Sequence, residues 1–177
     1  MELYSRVSDT PTAAEAVYDF VLVAAGDAFT EAEVSAALDL PKTTTHVALS
    51  ALVAKGLVVQ ERVGRTGRYS VDPADPLTRQ LKIARAIRMV QQAILPLRDE
   101  LDLVVLFGSA SRGEDRQGSD VDILVVAHDA ASVQASLAQH QWLQPVVLTP
   151  ERHMVLIAED GTLAKETARG ITIWKKR

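Results

Sequence analysis

The 177-residue chain contains no cysteine. That excludes disulfide cross-links, thiolate nucleophiles and thiolate metal ligands. It fits a reducing compartment, and a cytoplasmic location is expected. No apolar run approaches the roughly 20 residues needed to span a bilayer. The first residues, Met1 to Thr12, are polar and lack the apolar centre of a signal peptide, so no membrane partner is expected. A cationic excess is also missing: 23 acids face 19 bases, a net charge of −4. Coating of nucleic acid by bulk charge is therefore excluded. What remains is ordinary globular composition, 47% apolar and 24% charged, in a length that suits one domain or two small ones.

The charge is not evenly spread. Residues 1–72 hold ten acids and six bases, but Leu40 to Val71 holds five bases against Glu61 alone. Local charge decides whether a surface meets a polyanion. This stretch sits in a readable pattern of elements. A helix is expected from Pro11 or Thr12 to about Ala25, with apolar residues at 3–4 spacing, ended by Gly26. Thr30 and Glu33 form a capping box for a second helix, Glu31 to Leu38. Pro41 suits the first turn of a third helix reaching Lys55, with Leu49, Leu52 and Val53 inward. Lys42, Thr43, Thr44, His46 and Ser50 then face outward. A β-rich run at 57–62, a turn at Gly64 to Gly67 and a return strand at 68–71 make a hairpin whose tip carries Arg62, Arg65 and Arg68.

Three helices and a hairpin resemble the winged helix-turn-helix of ArsR- and MarR-type repressors over about residues 11–72. The string Leu49-x-x-Leu52-x-x-x-Gly56-Leu57-Val58 looks like their junction between recognition helix and wing. On this reading double-stranded DNA is a partner. The outward residues of the third helix approach base edges, and the wing arginines reach phosphates or the minor groove.

Asp72-Pro73-Ala74-Asp75-Pro76 is a breaker cluster that marks a boundary. Asp75 caps a long helix with Leu77, Leu81, Ala84, Ile87, Val90, Ile94 and Leu97 as its apolar stripe. Arg79, Lys82, Arg85 and Arg88 lie off that stripe and read as a solvated face. A stripe of this length suits pairing with its twin in a homodimer.

In the last third, the buried-strand run Leu103 to Phe107 leads into Gly108-Ser109-Ala110-Ser111-Arg112-Gly113. A polar loop follows, then a second strand containing Ser119-Asp120-Val121-Asp122. Gly108 lets backbone approach a phosphate, and Ser109 opens a helix whose N–H groups favour an anion. Asp120 and Asp122, two apart on a strand, project to one side. Two hard oxygen donors on one face suit Mg²⁺ and its nucleotide phosphates.

The stretch Phe107 to Val125 resembles the nucleotidyltransferases of the DNA polymerase β superfamily, particularly their minimal members. The resemblance implies that Gly108 and Ser109 hold the triphosphate of a nucleotide and that Asp120 and Asp122 hold Mg²⁺ and are catalytic. Arg112 matches an arginine frequent in that family and is expected to touch phosphate. Active members carry a third carboxylate on a later strand as general base. It is expected here at about Val146, or at Pro145 or Gln144, and none is acidic. Loss of such a base costs about 10²–10⁴ in rate.

The remaining residues predict helices at 130–141, 149–158 and 163–169 and strands at 144–148 and 171–174, with Lys175-Lys176-Arg177 as a solvated tail. The expected fold is α+β: a winged helix (1–72), a connecting helix (73–100) and a small α/β nucleotidyltransferase-like domain with a mixed sheet (101–177). The expected function is a DNA-binding transcriptional regulator whose second domain binds a nucleoside triphosphate with Mg²⁺. The alternative is an active nucleotidyltransferase that moves a nucleoside monophosphate to a protein, small molecule or nucleic acid, as in toxin–antitoxin pairs.

Overall fold

The computed structural model describes residues 12–176. Readings placed on residues 1–11, including Pro11 as a helix start, and on Arg177 lie outside the described residues. The chain divides at Pro73/Ala74 into two compact units.

In the first unit, α1 (Ala13–Val23) starts at Thr12. Thr12 and Glu15 cap each other reciprocally: the Glu15 N–H donates to Thr12 Oγ1 at 3.3 Å, and the Thr12 N–H donates to Glu15 Oε2 at 2.7 Å. Thr30 and Glu33 repeat the device for α2 (Glu31–Leu38). Such boxes satisfy two orphan amides at a helix start. The third helix, α3, runs Lys42–Ala54, with Pro41 just outside and no side-chain cap. A two-residue strand that the sequence did not suggest, β1 (Ala28–Phe29), pairs with the wing. The wing is β2 (Val59–Val63) and β3 (Thr66–Ser70), in the sheet order β1-β3-β2. Leu57 and Val58 precede the strand, and Val58 is buried instead in the core with Val17, Val21, Val34, Leu49, Leu52 and Tyr69.

In the second unit, α4 (Pro76–Ile94) is capped by Asp75, whose carboxylate accepts from the Thr78 N–H at 2.7 Å. Its inward face is rotated from the expected stripe. Thr78, Lys82, Ala86, Val90, Ala93 and Ile94 are buried, while Leu77 and Ala84 are exposed. Lys82, expected to be solvated, is only 5% exposed. A 3₁₀ segment, Leu95–Glu100, leads into the sheet.

The sheet contains β4 (Leu101–Phe107), β5 (Val121–Ala127), β6 (Leu143–Leu148) and β7 (Ile171–Lys175), in the order β6-β5-β4-β7. Only β5–β6 is parallel. Between strands lie α5 (Ala130–Leu137), α6 (Pro150–Glu159) and α7 (Thr162–Ala168). Pro145 is tolerated in β6 because that strand is at the sheet edge.

Alternation along the strands divides their side chains between two faces. Val104, Leu106, Val121, Ile123 and Val125 join Ala86, Val90 and Val133 in the main core. Val105, Phe107 and Leu124 pack on the other face with Leu156 and Leu163. The sheet is thus covered by α4 and α5 on one side and by α6 and α7 on the other. The side chains of Lys175 and Lys176 are exposed, as the sequence suggests, but their backbone is paired. Lys175 lies in β7, and the Lys176 N–H donates to the Asp102 carbonyl at 2.9 Å.

Leu49 and Leu106 are both fully buried, one in each unit. Truncating either to alanine removes transfer energy and leaves a cavity. We expect each to cost about 2–5 kcal/mol, read by chemical denaturation as loss of its own unit's transition.

Candidate active site and nucleic-acid interface

Antiparallel register in the second unit sets Phe107 opposite Asp122. The next residue, Gly108, turns the chain with φ +69°, and a β-carbon there would lie 2.3 Å from Asp122 Oδ2. Only glycine allows both the left-handed turn and that approach. After it, a single 3₁₀ turn, Ala110–Arg112, replaces the expected helix. The Ser111 hydroxyl donates to the Gly108 carbonyl at 2.8 Å. The Ser109 carbonyl accepts from the Arg112 and Glu114 N–H groups, each at 3.0 Å. Gly108 and Ser109 are thus half-buried and fixed in place beside Asp122.

Asp120 precedes β5 and is exposed; Asp122 lies in β5 and is half-buried. Burial, then the negative charges of Asp120 and Glu166, push the Asp122 carboxyl above its ordinary range. Glu166, on α7, is a residue the sequence reading missed. It also meets Arg112, whose Nη1 lies 3.4 Å from Glu166 Oε2 while its Nε donates to Glu114 at 2.9 Å. Those carboxylates hold the guanidinium pKa up. Arg112 therefore stands at the site already engaged by two acids. No local motif signals Glu166, because it is 44 residues beyond Asp122 and arrives only through the packing of α7.

The parallel register pairs Asp122 with Gln144 and Leu124 with Val146. Of the three positions expected for a third carboxylate, Gln144 is the one paired with Asp122, while Val146 packs with the apolar residues of that face. A glutamine amide cannot take a proton as a carboxylate does. Among the described residues no group of three or more acidic or histidine side chains could hold a metal ion. What the site offers a cation is the Asp120–Asp122 pair. The accumulated negative charge around a half-buried carboxylate is the environment that a divalent ion relieves, so the residues fit Mg²⁺ as two of its oxygen donors.

In the first unit, Lys42, Thr43, His46 and Ser50 are exposed and Thr44 half-exposed along α3, with Thr45, Ala48, Leu49 and Leu52 buried behind them. A groove of about 470 Å³ lies between α2, α3 and the wing, lined among others by Glu31, Lys42, Arg62, Arg65 and Tyr69. Its floor is a chain of hydrogen bonds. Glu31 Oε1 accepts from the Tyr69 hydroxyl at 2.8 Å and lies 2.8 Å from His46 Nδ1; Gln60 Nε2 donates to Tyr69 at 3.0 Å. Contact with His46, then Tyr69, lowers the Glu31 pKa. Burial and Glu31 push Tyr69 up to about 12. Arg62 and Arg65 are exposed. Arg68, grouped with them by sequence, also donates from Nη2 to the Ala28 carbonyl, which ties the wing to β1.

Residues 91–176 match the family model described as "Polymerase beta, Nucleotidyltransferase". Residues 22–62 match that of the IclR helix-turn-helix domain, which corrects the ArsR/MarR subtype while keeping the helix-turn-helix. No curated protein matches. Among solved structures, one from Sulfolobus solfataricus assigned as a nucleotidyltransferase is 17% identical with a TM-score of 0.40, covering 55% of this chain and 87% of its own. A toxin–antitoxin structure with AMP-PNP is 20% identical with a TM-score of 0.34, covering 51% and 74%. The archaeal chromatin protein TrmBL2 is 15% identical with a TM-score of 0.31, covering 86% and 70%.

Two outcomes follow from this geometry. Gly108→Ala adds a clash to left-handed strain, whereas at Gly118, φ +80°, a β-carbon meets nothing within 4 Å. Denaturant unfolding should show Gly118→Ala costing about 1–2 kcal/mol for strain and Gly108→Ala costing more. The second concerns charge. A raised folded-state pKa at Asp122 means that the folded protein binds that proton more tightly than the unfolded chain. Stability is present below the unfolded pKa and lost as pH rises through the folded pKa. Without metal at neutral pH, Asp122→Asn should therefore raise the melting temperature slightly, and the gain should vanish at acidic pH.

Proposed function

We propose that this chain, a helix-turn-helix DNA-binding domain joined to a polymerase-beta-type nucleotidyltransferase domain, is a transcriptional regulator whose second domain binds a nucleoside triphosphate with Mg²⁺. The observation that carries the nucleotide reading is the approach of Gly108 to Asp122, with Asp120 alongside. Backbone N–H groups at Gly108 and Ser109 donate to phosphate oxygens at close range. Arg112 exchanges a carboxylate partner for phosphate. Asp120 and Asp122 hold the cation, which when bound neutralises phosphate charge. Gln144 orients by hydrogen bonding but takes no proton, which favours binding over transfer.

On the DNA side, Lys42, Thr43, Thr44, His46 and Ser50 face base edges. Arg62 and Arg65 supply phosphate contacts, with Arg68 contributing charge from a strand it also anchors. We place the protein in the cytoplasm as a homodimer reading paired half-sites. The described residues contain no helix long and apolar enough to cross a membrane.

Titration calorimetry with each nucleoside triphosphate, with and without Mg²⁺, should show metal-dependent binding by the wild type. Asp120→Ala/Asp122→Ala should lose it. Equal binding by the double variant overturns the reading. Incubation with labelled nucleoside triphosphates and lysate separates binder from enzyme: an Asp120-dependent labelled acceptor, a partner protein included, establishes transfer. For DNA, affinity should fall with salt, and Arg65→Ala should flatten the log–log slope by about one. An unchanged slope removes Arg65 from the interface.

A further inference from the structure

Between Arg112 and Asp120 the chain makes a loop, residues 113–119, that joins the phosphate-binding turn to the metal-binding pair. Its two ends are held by local bonds. Gly113 lies against α4 so closely that a β-carbon would sit 2.4 Å from the Arg79 carbonyl oxygen. At the other end, the Arg116 N–H donates to Ser119 Oγ at 3.0 Å, and the Ser119 N–H donates to the Arg116 carbonyl at 2.9 Å. The middle, Asp115, is held by a different kind of bond.

Lys82 reaches it from the buried face of α4. Its ammonium donates to the Asp115 carbonyl and lies 3.4 Å from Asp115 Oδ1. Lys82 is 5% exposed and the Asp115 side chain 14%. Asp115 Oδ1 is buried and receives no hydrogen bond from the described residues, so the ammonium is its electrostatic compensation. Lysine is almost never buried unless paired. The neighbouring inward positions are Thr78, Ala86 and Val90, and packing alone would be served better by a leucine or methionine at 82. The charge at 82 is accounted for by what it holds, which is the loop.

We propose that Lys82 is a positioning residue of the nucleotide site, pinning residues 113–119 so that Arg112 and Asp120 keep their places at either end. The pinning itself follows from the buried pair. Its consequence for ligand rests on the nucleotide-binding reading above, and the two are measured separately. Lys82→Met keeps the buried volume and leaves Asp115 uncompensated. Asp115→Asn removes the buried carboxylate from the loop side.

The test uses the full chain. Brief trypsin digestion followed by mass spectrometry gives the cutting rate after Arg116, which is exposed in the loop, relative to the rate after Arg152, exposed on α6. Lys82→Met should raise that ratio by about tenfold or more, and Lys82→Met/Asp115→Asn should restore part of it, as expected when both members of a buried pair are neutralised together. General loss of stability raises both rates and leaves the ratio unchanged. If Lys82→Met does not fold, Asp115→Asn alone must raise the ratio. An unchanged ratio in the folded variant overturns the proposal.

The second arm measures dissociation constants for Mg-ATP and Mg-GTP, which should weaken in Lys82→Met on the order of tenfold and recover in the double variant. Weakened binding with an unchanged Arg116 ratio also overturns loop pinning. If the wild type binds neither nucleotide, the nucleotide reading fails for these ligands, and the trypsin ratio still decides the pinning.

Discussion

The candidate site depends on one close approach, that of the Gly108 backbone to the Asp122 carboxylate. It exists because β4 and β5 pair with Phe107 opposite Asp122, so the turn leaving β4 arrives beside the strand position that carries the acid. The register is set by burial. A slip of one residue would turn Val104 and Leu106 away from the main core and bring Val105 and Phe107 into it, exchanging the two faces of the strand. The two apolar faces of the sheet thus fix where the half-buried Asp122 carboxylate meets backbone. An apolar requirement places a polar site.

The same alternation places Asp122 and Gln144 on the face covered by α6 and α7, along with Leu124 and Val146. That is why Glu166, on α7, adds its charge to a site assembled on β4 and β5. The result is a cluster of negative charge with a neutral amide, Gln144, paired beside Asp122. Such a concentration of negative charge is what a divalent cation would relieve, and Gln144 offers it no carboxylate. Folding accepts the electrostatic cost of Asp122 at the candidate site, and functional sites are a familiar location for unfavourable charge.

Much of this was legible in order and little in orientation. Capping boxes at Thr12/Glu15 and Thr30/Glu33, the breaker at Asp72 to Pro76, and the Gly-Ser and Asp-x-Asp strings are local signals. Each of these assigned its element or motif. The wing was legible as a hairpin, but β1 was not, because two residues acquire strand character only by pairing with β3. On α4, periodicity found a helix and chose the wrong face at its N-terminal end. Lys82 counts as polar in any pattern, yet here it is buried against a loop 33 residues away. Arg68 shows the same kind of long-range contact: sequence grouped it with the tip arginines, and its bond to the Ala28 carbonyl gives it a structural duty as well.

By itself the sequence determined two domains, their classes, the outward face of α3 and the two aspartates. The units and candidate residues follow from composition, periodicity and short-range spacing, all of which act along the chain; the classes are what the resemblance of those motifs to known families implies. Tertiary structure decided the rest: that Gln144 rather than Val146 neighbours Asp122, that Glu166 reaches the site, that Arg112 is shared between two acids, and that Lys82 lies beneath the loop. Those facts depend on strand register and helix rotation. Both are settled by which apolar side chains can be buried together across long separations, a condition no local stretch of sequence contains.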